Sequence, residues 1–242
     1  MREIRVRFQA HGRPHEGAVI YDETIVRPRP ALYMQPNWYG VCEKNAAQAA
    51  SIAGRDYVVL LADMFGAEHH TKQLAPPERL EQVKNIHTNL DFTLPCADAA
   101  FNALMAEAVK QGCVDQAKPV FGVGFCVGAG IVLDQMRHGR NLEAAALFHS
   151  TLPNSAHPPA ESKLRGRCLI LHGSADPVTP KDAIDTLEAE LSAAGVDWQT
   201  VMFAGGLHSF TEPYCNPSPL ERYDEHATLK GYGLMRDFFL NW

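Results

Sequence analysis

Short apolar runs of strand length alternate with longer amphipathic stretches through most of this 242-residue chain. The run 57–62 is apolar at every position, as expected of a strand that is covered on both faces. Other strand-like runs lie at 31–34, 119–125, 144–148, 168–171 and 198–203. Helical patterns lie at 46–53, 97–111, 127–138, 181–194 and 227–240. Because parallel strands need crossover connections, this alternation predicts an α/β fold with a mostly parallel sheet and helices on both faces.

The first 25 residues follow another pattern. Residues 5–8 and 17–25 are β-like and flank a turn at 12–14, which predicts an opening hairpin. The polar segment 66–89 contains two adjacent prolines and has no pattern that predicts its structure. The length suits one α/β domain, and we expect residues 1–242 to form it. Hydrophobic residues make up 46% of the chain, which excludes a disordered protein.

The charges exclude several classes of partner. The formal net charge is −6 and no cluster of five or more lysines and arginines is present, so we expect no nucleic-acid partner. No apolar run approaches the roughly 18 residues of a membrane-spanning helix. The start of the chain alternates charged and apolar residues instead of forming a signal peptide, which favours a cytoplasmic protein.

Cysteines and histidines show no metal-binding spacing. The six cysteines are scattered without a C-x-x-C pair, and adjacent His69 and His70 point apart in regular structure. We therefore expect no metal and no other cofactor. Five of the cysteines are expected to be packing residues, namely Cys42, Cys96, Cys113, Cys168 and Cys215.

The sharpest motif is Gly124-Phe-Cys126-Val-Gly128, which lies between a predicted strand and a predicted helix. A G-x-C-x-G motif in that place has the form of a nucleophile elbow, whose tight turn presents the central side chain and needs very small neighbours. The helix predicted to begin at Val127 would direct free backbone N–H groups toward Cys126 and favour its thiolate. Cys126 is therefore the candidate nucleophile.

A carboxylate and a histidine follow in the chain order that α/β-hydrolases use. Asp176 lies in a turn after the run 168–171, and His208 lies in a loop after the run 198–203. Taken alone, Asp176 would be interpreted as an Asp-Pro turn residue and His208 as a loop histidine. Together with Cys126 they favour a Cys-His-Asp triad at the carboxyl edge of the sheet.

With these residues in place, the chain resembles the dienelactone hydrolase family, the α/β-hydrolase branch with a cysteine nucleophile. The resemblance spans nearly the whole chain. It includes the opening hairpin, the elbow and the segments Pro36-Asn-Trp-Tyr-Gly40, Ala62-Asp-Met-Phe65, His172-Gly-Ser-Ala-Asp176 and Gly206-Leu-His208-Ser-Phe210. It implies an α/β-hydrolase fold in which Cys126 is the nucleophile, His208 the general base and acid, and Asp176 the group that orients His208.

An oxyanion hole is required because attack on a carbonyl group concentrates negative charge on its oxygen. The N–H of Val127, the residue after the nucleophile, is one expected donor. The resemblance implies that the N–H of Trp38 is the second donor. Residues near these donors are expected to line the substrate site, namely Asn37, Tyr39, Phe65 and Glu212.

The chain departs from the family at two of these positions. The family's founding members have a glutamate where Asn37 stands, and an amide cannot ionise at working pH. They carry a carboxylate-binding arginine where Glu212 stands, and a negative side chain would repel the same ligand. These departures favour a small neutral ester or lactone over dienelactone. Arg79, in a segment that aligns loosely with another such arginine, is interpreted as a solvated surface residue.

Two other functions stay open. A thiolate and an oxyanion hole can also serve an uncharged phosphotriester. Alternatively, the protein is not catalytic and Cys126 binds a ligand or senses oxidants. The expected state is a monomer or a homodimer. His149, which follows the run 144–148, is equally compatible with the pocket rim, with the surface and with the core.

Overall fold

The computed structural model describes residues 1–69, 75–152 and 163–240. Residue contacts divide the chain into two compact units, Met1–Gly122 and Val123–Trp242, which are described separately. The single domain expected from the length stays a prediction. Within the three described ranges, no helix is both long enough and apolar enough to cross a membrane.

The first unit opens with the predicted hairpin. Strands β1 (Arg2–Ala10) and β2 (Arg13–Tyr21) are antiparallel, and both residues of the turn between them, His11 and Gly12, have positive φ. A two-residue turn of this kind matches the twist of the strands. Strand β2 ends before residue 25 because the Asp22 carboxylate accepts hydrogen bonds from the N–H and hydroxyl of Thr24, which forms a turn.

Two further strands complete the sheet of the first unit. They are β3 (Ala31–Gln35) and β4 (Val58–Leu61), in the order β1-β2-β4-β3, with β3 and β4 parallel. Helix α1 (Glu43–Ala53) packs on β2 and β4. Ala67–His69 forms a short 3-10 helix. Buried side chains of β2, β3 and β4 form one core cluster with Ala100, Leu104 and Ala108.

The segment without a predicted structure contains helix α2 (Pro76–Thr88). Its two prolines are tolerated because they lie in the first turn, where backbone N–H groups have no partner within the helix. The Glu78 carboxylate accepts a hydrogen bond from the N–H of Ala75, just before the helix. Helix α3 (Leu90–Lys110) begins seven residues before the predicted start, since the Asn89 side chain accepts the N–H of Phe92 and caps it.

The second unit repeats the predicted alternation of strands and helices. Its elements are β5 (Phe121–Phe125), which begins just before the unit boundary, α4 (Val127–Arg137), β6 (Ala144–Phe148), β7 (Arg167–Gly173), α5 (Lys181–Ala193), β8 (Asp197–Phe203) and α6 (Glu225–Leu240). The strand order is β5-β6-β7-β8, and β7 runs parallel to β6 and β8. The loops after these strands therefore open at one edge of the sheet.

Candidate active site

Cys126 occupies the tight turn between β5 and α4 that the motif predicts. Its backbone has φ 54° and ψ −120°, a conformation that residues other than glycine rarely adopt. The turn is held by hydrogen bonds from the N–H of Cys126 to the carbonyl of Phe148 and from the N–H of Thr151 to the carbonyl of Cys126, both 3.1 Å. A Cβ on Gly124 would lie 2.4 Å from the Cα of Ala129, so only glycine fits there.

The side chains of Cys126, His208 and Asp176 form a hydrogen-bonded line. His208 Nε2 lies 3.2 Å from Cys126 Sγ, and His208 Nδ1 lies 2.8 Å from Asp176 Oδ2. Because a carboxylate only accepts hydrogen bonds, Nδ1 carries a hydrogen and Nε2 faces the sulfur. All three residues are buried, with 9% or less of each exposed.

The Asp176 carboxylate is held on both of its oxygens. Oδ1 accepts hydrogen bonds from the N–H groups of Val178 at 2.8 Å and Thr179 at 3.2 Å, which leaves Oδ2 for His208. The carbonyl of Thr179 accepts a hydrogen bond from His172 Nε2 at 2.9 Å, and the Thr179 hydroxyl donates one to the carbonyl of Ser150. The acid is therefore oriented before any ligand binds.

The surroundings of His208 favour its protonated form. Burial lowers the pKa of His208, but the negative charges and hydrogen bonds of the Cys126 thiolate and Asp176 outweigh it, so the pKa lies well above its usual value. Burial keeps the pKa of the neighbouring His149 and His172 below the usual value, so both are neutral at neutral pH. This arrangement therefore favours the imidazolium form of His208 beside the sulfur.

Four of the other five thiols are buried in unreactive places. All six cysteines are free, and burial raises the pKa of Cys96 and Cys168 to about 12. Burial also raises the pKa of Cys113 and Cys215. Cys42 is partly exposed at the start of α1. Four of the five predicted packing cysteines are therefore buried, and a thiol reagent is expected to react first with Cys126 or Cys42.

Val127 is the first residue of α4 and is fully buried. The first N–H groups of a helix have no partner within the helix, so the N–H of Val127 is available beside Cys126. This geometry is compatible with the oxyanion donor expected from the sequence, and that role stays a prediction.

The predicted residues Asn37, Trp38 and Tyr39 form a tight turn in the first unit. The N–H of Gly40 donates to the carbonyl of Asn37 at 2.9 Å, and the N–H of Tyr39 donates to Asn37 Oδ1 at 3.0 Å. Asn45 Nδ2 also binds Asn37 Oδ1, at 2.9 Å. The backbone and side-chain oxygens of Asn37 therefore both accept hydrogen bonds from residues of the first unit. Because a trans peptide places N–H and C=O on opposite sides, the N–H of Trp38 points away from the bond to Gly40.

Two other residues contact this turn. Arg79, interpreted as a solvated residue, is partly buried, donates to the carbonyl of Trp38 at 3.2 Å and lies over the ring of Tyr39 at 4.8 Å. Gly40 has φ 63°, and a Cβ there would lie 3.0 Å from the buried ring of Phe65. The oxyanion role of Trp38 and the substrate contacts of Asn37, Tyr39 and Phe65 stay predictions.

Glu212 is buried in the second unit, with 1% exposure. Its Oε1 lies 3.9 Å from Nε2 of His149, which is also buried and belongs to the core. The sequence pattern is compatible with the pocket rim, the surface or the core for His149, and it gives no sign of these contacts because the two residues are 63 positions apart. The predicted substrate contact of Glu212 stays a prediction.

His69 and His70 are adjacent histidines that could be taken for metal ligands. Nε2 of His69 lies 3.0 Å from Gln82 Nε2, and His70 lies outside the described residues. Among residues 1–69, 75–152 and 163–240, no group of three or more His, Cys, Asp and Glu side chains is arranged to hold a metal ion. The expectation of a metal-free site stays a prediction.

Comparison with known proteins gives one family and several solved structures. The dienelactone hydrolase family matches residues 17–242, whereas no curated protein matches the chain at a significant level. The protein m3DLH is 27% identical, with a TM-score of 0.84 over 98% of this chain and 97% of that one. A dienelactone hydrolase-like promiscuous phosphotriesterase from metagenomic libraries is 25% identical, with a TM-score of 0.84 over 99% and 97%.

A more distant structure has the same fold. Thermogutta terrifontis esterase 2, phosphorylated by paraoxon, is 18% identical and covers 98% of this chain and 93% of its own, with a TM-score of 0.67. These similarities confirm the predicted fold class, an α/β-hydrolase fold with a mostly parallel sheet.

Proposed function

The chain belongs to the dienelactone hydrolase family, and from this premise we propose that this hydrolase cleaves small neutral esters or lactones through Cys126, His208 and Asp176. The observation that carries the proposal is the buried line from Asp176 Oδ2 through His208 to Cys126 Sγ, with separations of 2.8 and 3.2 Å. A sulfur beside an imidazole that a carboxylate orients is the arrangement of an activated nucleophile. No cofactor enters the reaction.

In the first half of the proposed reaction, the Cys126 thiolate attacks the carbonyl carbon and its electron pair forms the C–S bond. The carbonyl π electrons move to oxygen, and the N–H of Val127 stabilises that charge. When the intermediate collapses, the C–O bond breaks and the His208 imidazolium donates its Nε2 proton to the leaving alkoxide. The products are an alcohol and an acyl-cysteine.

In the second half, neutral His208 removes a proton from water through Nε2, and the resulting hydroxide attacks the thioester carbon. The C–S bond then breaks and the thiolate leaves as the carboxylic acid is released. Asp176 keeps Nδ1 protonated through both halves, so Nε2 is always the atom that exchanges the proton. For a lactone, the alcohol and the acid are parts of one product.

The residue at position 212 supports a neutral substrate. Glu212 is buried four residues after His208, where the family's founding members carry a carboxylate-binding arginine, and its Oε1 lies 3.9 Å from His149 Nε2. A glutamate at this position cannot supply the positive charge that would bind a substrate carboxylate. We therefore expect esters of uncharged acids to be preferred over anionic esters of the same size.

A substrate panel tests the proposal. Aryl acetates and small lactones are expected to turn over, and rapid quenching followed by peptide mass spectrometry is expected to find the acyl group on Cys126. An anionic analogue, such as the aryl hemisuccinate, is expected to react at least about tenfold more slowly than the matched neutral ester, because no arginine at position 212 offsets the cost of burying its carboxylate and each 1.4 kcal/mol gives a factor of ten. A thiol that is labelled once without multiple turnover of any ester would contradict hydrolysis and favour a binding or redox-sensing protein.

Phosphotriester hydrolysis is the second candidate, and the 25% identical promiscuous phosphotriesterase favours it. In that reaction the Cys126 thiolate would displace an aryloxide from phosphorus, and water would then hydrolyse the S–P bond. A dialkyl aryl phosphate is expected to turn over more slowly than an aryl acetate with the same leaving group. The reverse order would make phosphotriesters the preferred substrates.

A further inference from the structure

Strained backbone is concentrated around the candidate triad. Among the described residues, four non-glycine residues have φ between +20° and +160°, and three of them lie near the triad: Cys126 at 54°, His149 at 35° and Ser209 at 56°. Each such residue costs of the order of 1–3 kcal/mol and persists only where the surrounding structure holds it. The strain of Cys126 belongs to the elbow, whereas that of His149 has no explanation in the proposed reaction.

His149 is anchored at the end of β6. Its N–H donates to the carbonyl of Leu171 in β7 at 2.9 Å, and its side chain is fully buried. The left-handed turn of its backbone directs the imidazole toward the loop that carries His208, where the two rings meet edge to face at 5.2 Å. The ring of Phe210 also meets it edge to face at 5.2 Å.

One hydrogen bond ties this ring to the His208 loop. Nε2 of His149 lies 2.8 Å from the hydroxyl oxygen of Thr211, three residues after His208. The bond is buried at both ends, since Thr211 is 2% exposed. Positive φ at Ser209, together with the bond from the N–H of Glu212 to the carbonyl of Ser209, turns the loop back toward β6 and makes this contact.

We propose that His149 is a positioning residue that, through its hydrogen bond to Thr211 and its ring contact, holds the His208 imidazole in line with Cys126 Sγ. The inference rests on the proposed triad and adds a residue to it. His149 does not exchange protons with the substrate. It is neutral at working pH, so it packs against the His208 imidazolium without adding a second positive charge.

Per-site alkylation kinetics test this proposal. Iodoacetamide reacts with the Cys126 thiolate without needing an oxyanion hole or ester turnover. Thr211→Val removes the hydroxyl at nearly constant volume, and His149→Phe keeps a ring but loses the bond. Each is expected to lower alkylation at pH 7 and kcat for an aryl acetate about five- to tenfold, with KM changed less than twofold, as expected for one buried hydrogen bond.

A double-variant cycle separates this role from general destabilisation. The double variant, which carries both Thr211→Val and His149→Phe, is expected to have the same rate constants as the slower single variant. The reason is that both changes remove the same hydrogen bond. His149→Gln, whose amide reaches the same hydroxyl, is expected to recover part of the loss. Thr93→Val serves as the control, since it removes a buried 2.6 Å hydrogen bond in the first unit and is expected to leave both rate constants unchanged.

Each outcome decides between the two proposals. The role of His149 would be overturned, with the triad left standing, by either of two results. In one, the alkylation rate constant and kcat of the single variants lie within twofold of wild type; in the other, the losses of the two single variants multiply in the double variant. If His149→Phe does not fold, Thr211→Val alone decides through the same rate constants. If Asp176→Asn alkylates as fast as wild type, the triad itself fails, and the positioning role fails with it.

Discussion

Replacing Cys126 with alanine is expected to lower kcat/KM for an activated aryl ester by at least about 10³-fold, because loss of the nucleophile from a triad usually costs this much or more. The residual rate would come from binding and from the predicted oxyanion donors. Alanine keeps the Cβ, so the strained backbone of the elbow meets no new atom, and the melting temperature is expected to change little. Steady-state kinetics and thermal unfolding measure the two effects.

Cys168→Ala is the matched control for this substitution. It removes a fully buried thiol from the same unit, and burial keeps the pKa of that thiol at about 12, so it is not a nucleophile. The control is expected to lose stability but to keep its turnover. Wild-type turnover by Cys126→Ala would show that another group is the nucleophile.

The second large effect is expected for Asp176→Asn, with a loss of about 10³- to 10⁴-fold in kcat. The asparagine oxygen can still accept from the N–H groups of Val178 and Thr179, which places its NH₂ group opposite His208 Nδ1. Two donors cannot face each other, so the imidazole adopts the tautomer with hydrogen on Nε2. That nitrogen can no longer take the proton of Cys126 or of water.

The same substitution is expected to change the pH dependence of alkylation. The pKa of His208 is raised because the Cys126 thiolate and Asp176 outweigh the effect of burial, so removal of the Asp176 charge lowers it. The imidazolium that stabilises the thiolate is then lost at a lower pH. We expect iodoacetamide to label the variant more slowly than wild type at pH 6 to 7 and equally fast at high pH, where the thiol ionises without help.

Asp182→Asn provides the control for the lost charge. Asp182 is exposed in the first turn of α5, and its Oδ1 accepts only a local N–H, that of Ala183. Its rates and pH profile are expected to equal those of wild type. A pH profile of Asp176→Asn that matches wild type would mean that the carboxylate does not act on His208.

The alternation of apolar runs and helical patterns was sufficient to predict most elements of both units. The strand β6 was predicted to the residue, and α4 and α5 to within one residue at each end, because their signals are local. Helix α2 was missed because its two prolines are typical of loops as well as of first helical turns. The start of α3 was missed since only the Asn89 side chain marks it.

The sequence by itself also determined the elbow, because the glycine at 124 and the residue at 126 act through the backbone of one short turn. Chain order supplied candidates for the acid and the base. Tertiary structure alone decided which polar groups pair with each other, such as Asn45 with Asn37, Arg79 with Trp38 and Thr211 with His149. Hydrogen bonds between distant residues depend on distances and directions within ångströms, and these are set only when the strands and loops have packed. A pattern of residue types carries no such distances.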